Sequence, residues 1–225
     1  ILESFCPHVI FGKGGALSIP LCLRAQRRGI PVVLHESDAV MGRANCFLTR
    51  WAKIVCLGFP LAARSVKPVA RSSKFLVTGN PVRPEMTRGS RERGLALTGF
   101  SGHRPILLVL GGSQGATSRN DAIALHAALF LQHWDIVHLT GIGKAGWKGI
   151  HPGYIARPFA HDELPDLYAC TTLAVSRSGA STLSELAACG IPAVLVPLEG
   201  LAQDHQWANA SAAVEHGGVR VLRQH

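Results

Sequence analysis

One carboxylate stands in a stretch otherwise made of small and hydroxylated residues. The segment Ser176–Pro192, SRSGASTLSELAACGIP, sets four serines, one threonine and two glycines around Glu185. Strand-length apolar runs, LAV before it and AVLVPL after it, put the segment at a strand-to-helix turn. Two chemistries fit it equally. Thr182-Leu183-Ser184-Glu185 has the spacing of a capping box, in which a glutamate three positions into a helix returns to the cap amide. That accounts for one hydroxyl and the carboxylate and leaves Arg177, Ser178, Gly179, Ala180 and Ser181 unexplained. In the second chemistry, small residues and helix N-terminal amides approach a phosphate, while Glu185 accepts from a ribose diol.

Three other strand-to-helix turns carry polar chemistry. FGKGGALS, Phe11–Ser18, has glycines for close backbone approach and matches neither the dinucleotide fingerprint nor the Walker loop, so structural turn and anion nest stand level. LHESDAVMGRAN, Leu34–Asn45, brings His35, Glu36 and Asp38 to the end of a strand, where their side chains are expected to face a cleft. Asp38 serves equally as an N-cap, and His35 as a satisfied core histidine. LGGSQGATSRN, Leu110–Asn120, runs a strand into Gly111-Gly112-Ser113, a setting for a diphosphate at a helix N-terminus. Downstream, Asp204, His205 and Gln206 lie on one turn after another apolar run, as exposed surface or as the mouth of the same cleft.

These turns need a scaffold that aligns strand ends. HVIFG, IPVVLHE, KIVCLGF and KFLVTGNP alternate with helical stretches near Ser18–Arg28 and Gly42–Ala52. The pattern resumes with PILLVLGG, a helix near Asn120–Leu131, DIVHLTG, the helical DELPDLYACT, LAVSRSG and PAVLVPL. Continuous Val/Ile/Leu runs separated by helices indicate parallel strands buried on both faces, so the fold class is α/β with doubly wound sheets. Between the two series, GNPVRPEMTRGSRERGLALTGFSGHR is rich in Gly, Pro and Arg and reads as a linker. Each half offers few strands for a complete doubly wound domain, so the chain is expected to be an interior fragment.

With 225 residues, 47% of them hydrophobic and 16% charged, the composition is that of a globular chain. The N-terminus has no basic region of a signal peptide, and no apolar run approaches the roughly 18 residues that span a bilayer. The six cysteines form no C-x-x-C pair, which suits free thiols in a reducing compartment. A net charge of +9 favours anionic partners. The basic residues are dispersed without interleaved aromatics, so no nucleic-acid partner is expected.

Together and in this order, GKGGALSIP, IPVVLHESDAVMGRANCFLTRWAK, VTGNPVRPE, LLVLGGSQGA and SRSGASTLSELAACGIPAVLVPLEGLAQDHQWANA resemble the bacterial UDP-N-acetylglucosamine transferases of peptidoglycan synthesis, of glycosyltransferase family 28. The resemblance covers almost the whole chain. It implies the GT-B fold, two Rossmann-like domains facing a cleft and both incomplete here. Residues 1–80 would be the C-terminal part of the acceptor and membrane domain, 81–104 the linker region, and 105–225 the donor domain without its last helices. The implied reaction is inverting transfer of N-acetylglucosamine from UDP to the lipid-diphosphate-linked muramoyl pentapeptide, lipid I to lipid II, in cell-wall synthesis and hence in cell shape and division. It implies no cofactor and no strict metal requirement. Implied partners are UDP-N-acetylglucosamine (UDP-GlcNAc), lipid I and an anionic membrane surface, with a peripheral location on the cytoplasmic face of the membrane.

The same resemblance assigns donor contacts residue by residue. Ala180, Ser181, Thr182, Leu183, Ser184 and Glu185 would cradle UDP, with Glu185 on the ribose. Gln206 would touch the donor sugar, Ser113 and Arg83 the phosphates and sugar, and Ala160 the uracil edge. Asp38 stands where the family has an amide that contacts donor, and it brings a charge in place of an N–H donor. The loop carrying the expected base would lie N-terminal to this chain, so little turnover is expected from the chain alone. Alternatives are another GT-B enzyme (a lipid glycosyltransferase or UDP-GlcNAc epimerase) or a non-catalytic UDP-sugar-binding subunit.

Overall fold

A computed structural model describes residues 2–60, 62, 74–111, 117–198 and 204–223. By its contacts the chain forms two compact units. The first comprises Ile1–Pro81, Gly179–Ser181 and Gly200–Ala212; the second comprises Val82–Ser178, Thr182–Glu199 and Ala213–His225.

In the first unit, α1 (Leu2–Phe5) leads into β1 (Ile10–Gly12), α2 (Ser18–Arg27), β2 (Val32–Glu36), α3 (Arg43–Leu48), β3 (Ile54–Leu57) and β4 (Lys74–Val77). The strands pair in parallel in the order β1-β2-β3-β4. Cys22 and Ala25, three apart, turn one face of α2 inward and join Val32, Leu34, Val55 and Leu57 in the core. Strand β2 is buried almost throughout, polar residues included, because neighbouring strands and helices cover it on both faces.

The second unit begins with a 3-10 turn at Pro84–Arg88 and α4 (Arg91–Thr98). It continues through β5 (Ile106–Leu110), α5 (Thr117–Phe130), β6 (Asp135–Leu139), β7 (Tyr154–Arg157), α6 (Leu164–Cys170), β8 (Leu173–Ser176), α7 (Ala180–Ala188) and β9 (Ala193–Leu195). The chain then passes through helix α8 (His205–Glu215), which groups with the first unit as far as Ala212, and returns in β10 (Val219–Val221). All six strands are parallel, in the order β10-β9-β8-β5-β6-β7. The chain winds outward from β5 through β6 to β7, then returns to lay β8, β9 and β10 on the other side. That reversal makes a topological switch point at the carboxyl ends of β5 and β8. Every residue of β5 and β6 is buried.

The segment 81–104, expected as a linker region, instead folds into the second unit from Val82 onward. Ser90 caps α4 by accepting from the Arg93 amide, and Asp166 of α6 accepts from the Ser90 amide over 2.7 Å. The Arg93 guanidinium grips Asp166 with two bonds of 2.9 and 2.7 Å. Gly94 lets the helices touch, since a Cβ there would collide with the Asp166 carbonyl and the Cys170 sulfur. The glycine that reads as a breaker is thus a packing contact.

A polar network lies inside this unit. His138 of β6 is wholly buried between the Tyr154 hydroxyl, 2.8 Å from Nδ1, and the Asn120 carbonyl oxygen, 3.0 Å from Nε2. Asn120 also donates to the Thr140 and Ala145 carbonyls, and the Trp147 amide donates to Tyr154. Burial, aided by the Arg119 charge, holds the His138 pKa down at about 4, so the ring is neutral. Its two neutral nitrogens match one donor and one acceptor. The network ties the segment after β6 in place.

Candidate functional site

The carboxyl ends of β5, β6 and β7 open on a cavity of about 360 Å³. Leu110 and Gly111 enter it from β5, Leu139 and Gly141 from β6, and Pro158, Phe159 and Ala160 from β7. Gly111 has to be glycine, because a Cβ would run into the Leu139 and Thr140 carbonyls. Helix α7 contributes Thr182 and Glu185, three apart and so on one helix face. Arg83 comes from the segment before the 3-10 turn. The proline after it keeps Arg83 out of the helical region, at φ −63° and ψ 131°, ahead of a turn that Pro84 begins. The cavity therefore joins the Glu185 carboxylate, the Thr182 hydroxyl and the Arg83 guanidinium, with the His161 ring beside them, to an apolar floor. Apolar walls with a few convergent polar groups characterise small-molecule sites.

Lys144 and Tyr168 also line it. The Tyr168 hydroxyl donates to Glu185 Oε2 over 3.1 Å. Burial first, then the Glu185 carboxylate, push the Tyr168 ionisation far above its ordinary range, so the phenol is a donor. Neither residue figured among the sequence candidates. Lys144 could have been found from its place in LTGIGK, at the end of β6. Tyr168 gives no such signal, because its partner lies 17 positions away on another helix.

Helix α7 begins at Ala180, two residues ahead of the expected cap, so Thr182 lies inside the helix. The capping-box alternative is therefore corrected: the Glu185 side chain meets Tyr168 instead of a cap amide. Four of the sequence-derived candidates, Arg83, Ala160, Thr182 and Glu185, share the cavity. Leu183 is a buried side chain, which leaves its backbone for any ligand, and Ser184 is half-buried. Ala180 and Ser181 form the first turn of α7 and group with the first unit, as does Gln206 in the first turn of α8. Ser113 lies outside the described residues.

Asp38 belongs to the first unit and lines a separate cavity there of about 590 Å³, with Lys13, Gly14, Gly15, Arg43, Asn45 and His205. Its Oδ1 accepts from Asn209 Nδ2 at 2.8 Å, its Oδ2 lies 3.7 Å from His205 Nδ1, and Asn209 Oδ1 accepts from the Ala39 amide. The expectation that the His35, Glu36 and Asp38 side chains face a cavity holds for Asp38 and Glu36 and is corrected for His35. His35 is buried with Nε2 3.2 Å from the Gly79 carbonyl oxygen. Glu36, although it borders the cavity, accepts from the Asp38 amide on one oxygen and from the Gly42 amide and Asn45 Nδ2 on the other, at 3.1, 2.9 and 2.9 Å.

Comparison with known proteins agrees with this architecture. Residues 1–57 match the glycosyltransferase family 28 N-terminal domain, and residues 106–225 its C-terminal domain. Among curated relatives, a protein of Lachnospira eligens is 36% identical over 227 residues, covering 100% of this chain and 63% of its own length. One of Synechococcus sp. (strain WH7803) is 41% identical over 219 residues, covering 96% and 59%. Both are named UDP-N-acetylglucosamine--N-acetylmuramyl-(pentapeptide) pyrophosphoryl-undecaprenol N-acetylglucosamine transferase. This chain thus spans about three-fifths of the length of these relatives. The crystal structure of Acinetobacter baumannii MurG superposes with a TM-score of 0.73 at 28% identity, over 99% of this chain and 62% of that one. CalG4, the calicheamicin glycosyltransferase, superposes at 0.65 with 17% identity, over 99% and 64% of the two chains, which speaks to the fold alone. The parallel sheets are those of the GT-B fold, and the chain belongs to glycosyltransferase family 28.

Proposed function

We propose that the second unit holds the UDP-GlcNAc donor of an inverting glycosyltransferase that extends lipid I to lipid II in peptidoglycan synthesis. The observation that carries this reading is the meeting of Arg83, Ala160, Thr182 and Glu185 in one cavity at the carboxyl ends of parallel strands. They come from separate segments, and each stands where the family resemblance expects a donor contact. The names of the relatives support the choice of sugar and acceptor.

In this reading Glu185 accepts hydrogen bonds from the ribose hydroxyls, and the β7 end at Ala160 meets the uracil edge. The first turn of α7, with Ala180, Ser181 and Thr182, offers its amides and positive dipole end to the diphosphate. Arg83 and Lys144 supply cationic charge at the cavity. As the bond between the sugar and the diphosphate breaks, negative charge grows on departing UDP, and these fixed groups stabilise it without a metal. The acceptor C4 hydroxyl attacks from the opposite face and loses its proton to a general base, which inverts the anomeric centre. Ser113 and Gln206 join as donor contacts on the resemblance. Asp38, whose carboxylate is engaged by Asn209 and His205, is left out.

The first unit would then serve the acceptor. A lipid-linked acceptor calls for a peripheral position at the cytoplasmic membrane face, and the +9 charge would favour anionic lipid. Among the described residues no helix is long and apolar enough to cross a membrane. Calorimetric titration of this chain with UDP-GlcNAc, UDP and ADP tests the donor site. We expect the uridine nucleotides to bind at least tenfold tighter than ADP, and Glu185→Ala to weaken all three ligands, since each carries the ribose diol. Equal binding of ADP and UDP would overturn the reading.

A further inference from the structure

Tyr168 has no part in that reading, yet its hydroxyl is bonded to the carboxylate on which the reading depends. The ring is 3% exposed, set in α6 and packed at the edge of the cavity that Glu185 and Thr182 line. Such a ring has two side-chain torsions and close neighbours, so the position of its hydroxyl is fixed by the fold. A glutamate side chain, by contrast, is among those that lose most rotamer freedom when they are ordered. Glu185 is half-buried and faces the cavity, where a free side chain would sample several rotamers. The phenol holds one of its two oxygens, Oε2. The other retains acceptor capacity for a ligand.

We propose that Tyr168 is a positioning residue for ribose recognition: by holding Oε2 of Glu185, it presents Oε1 to the vicinal hydroxyls of the nucleotide ribose and makes the site selective for ribonucleotides. The inference rests on the reading of Glu185 as the ribose acceptor. Fixing the carboxylate before the ligand arrives removes an ordering cost from binding. A 2′-deoxyribose gains least from that arrangement, because it lacks one of the two donors. The Arg83 cation lies near the same phenol and lines the cavity together with Glu185.

The test compares UDP with 2′-deoxy-UDP on the 225-residue chain and on Tyr168→Phe, Glu185→Ala and the double variant. The parent chain is expected to favour UDP about tenfold, the size of one hydrogen bond to a charged group. Tyr168→Phe keeps the ring and should reduce that ratio to threefold or less. In the Glu185→Ala background the same change should leave the ratio unaltered, because Tyr168 acts through the carboxylate. A loss of folded protein lowers both apparent affinities together and cancels from the ratio, so a merely structural role would not move it. If the parent chain binds both nucleotides equally, the donor-site reading falls and the inference with it. If the parent discriminates and Tyr168→Phe discriminates as well, the inference alone is overturned.

Discussion

Glu36 and Glu185 are both carboxylates near the end of a parallel strand, and both border a cavity. Their surroundings differ. Glu36 is 6% exposed, and its oxygens already accept three hydrogen bonds, from two backbone amides and the Asn45 side chain. It organises the turn from Ser37 to Asn45 much as a bound anion would. Glu185 is half-buried, and among the described residues it accepts from Tyr168 alone. The fold has used up one carboxylate and kept the other in reserve. A carboxylate next to a cavity is a ligand group only to the extent that its lone pairs remain unspent.

Four substitutions test that contrast, from the largest expected effect to the smallest. Glu36→Ala would leave three donors without their acceptor and should lower the stability of the first unit by roughly 3–5 kcal/mol, read by chemical denaturation. Uridine nucleotide binding by the second unit of the folded fraction should persist. Loss of both together would show that the two carboxylates are not separable in this way.

His138 offers a pH probe confined to the second unit. Its folded pKa of about 4 lies below the ordinary 6.5, so the unfolded chain binds the extra proton between those values. Stability from this group is therefore intact above about pH 6.5 and is lost as pH falls toward 4, by about 3 kcal/mol in all. Urea titrations at stepped pH should show His138→Gln flattening this decline. An equal slope in parent and variant would mean that the buried ring takes up a proton freely.

Glu185→Ala should change the thermal midpoint by only a few degrees, equivalent to about 1 kcal/mol, because one hydrogen bond is lost and a half-buried charge is removed with it. A loss comparable to that of Glu36→Ala would make Glu185 structural. Asp38→Asn should have the least effect. The amide oxygen can still accept from Asn209, and the 3.7 Å pair with His205 is a partly exposed one of small worth. Stability should move by under about 1 kcal/mol, and UDP affinity by less than threefold in calorimetry. A larger gain in affinity would return Asp38 to the donor site.

The sheet was legible where burial imposes its pattern. ILLVL, DIVHL and VVLHE are buried strands and read as such, because covered parallel strands need continuous apolar runs. The two edge strands of the second sheet escaped. Tyr154–Arg157 and Val219–Val221 are half-exposed and mix polar with apolar residues, so their sequence carries no strand signal. Helix α4 was hidden by glycines and arginines whose purpose is contact with α6, a tertiary fact. The site divides in the same way. Arg83, Thr182 and Glu185 stand in recognisable local motifs, whereas the Tyr168 contact exists only after α6 and α7 have packed.

The reversal of strand order has a consequence in time. Strand β5 pairs with β6 and with β8, and Leu107 meets Leu173, 66 residues later in the chain. During synthesis the β5–β6–β7 half can form first and present the floor of the cavity. The wall that carries Thr182 and Glu185 cannot exist until β8 has closed that long loop and α7 has followed it out. Non-local parallel pairing is slow, so the site is among the last parts of the unit to mature. A nucleotide that selects the finished cavity would report the docking of α7 beside the strand ends.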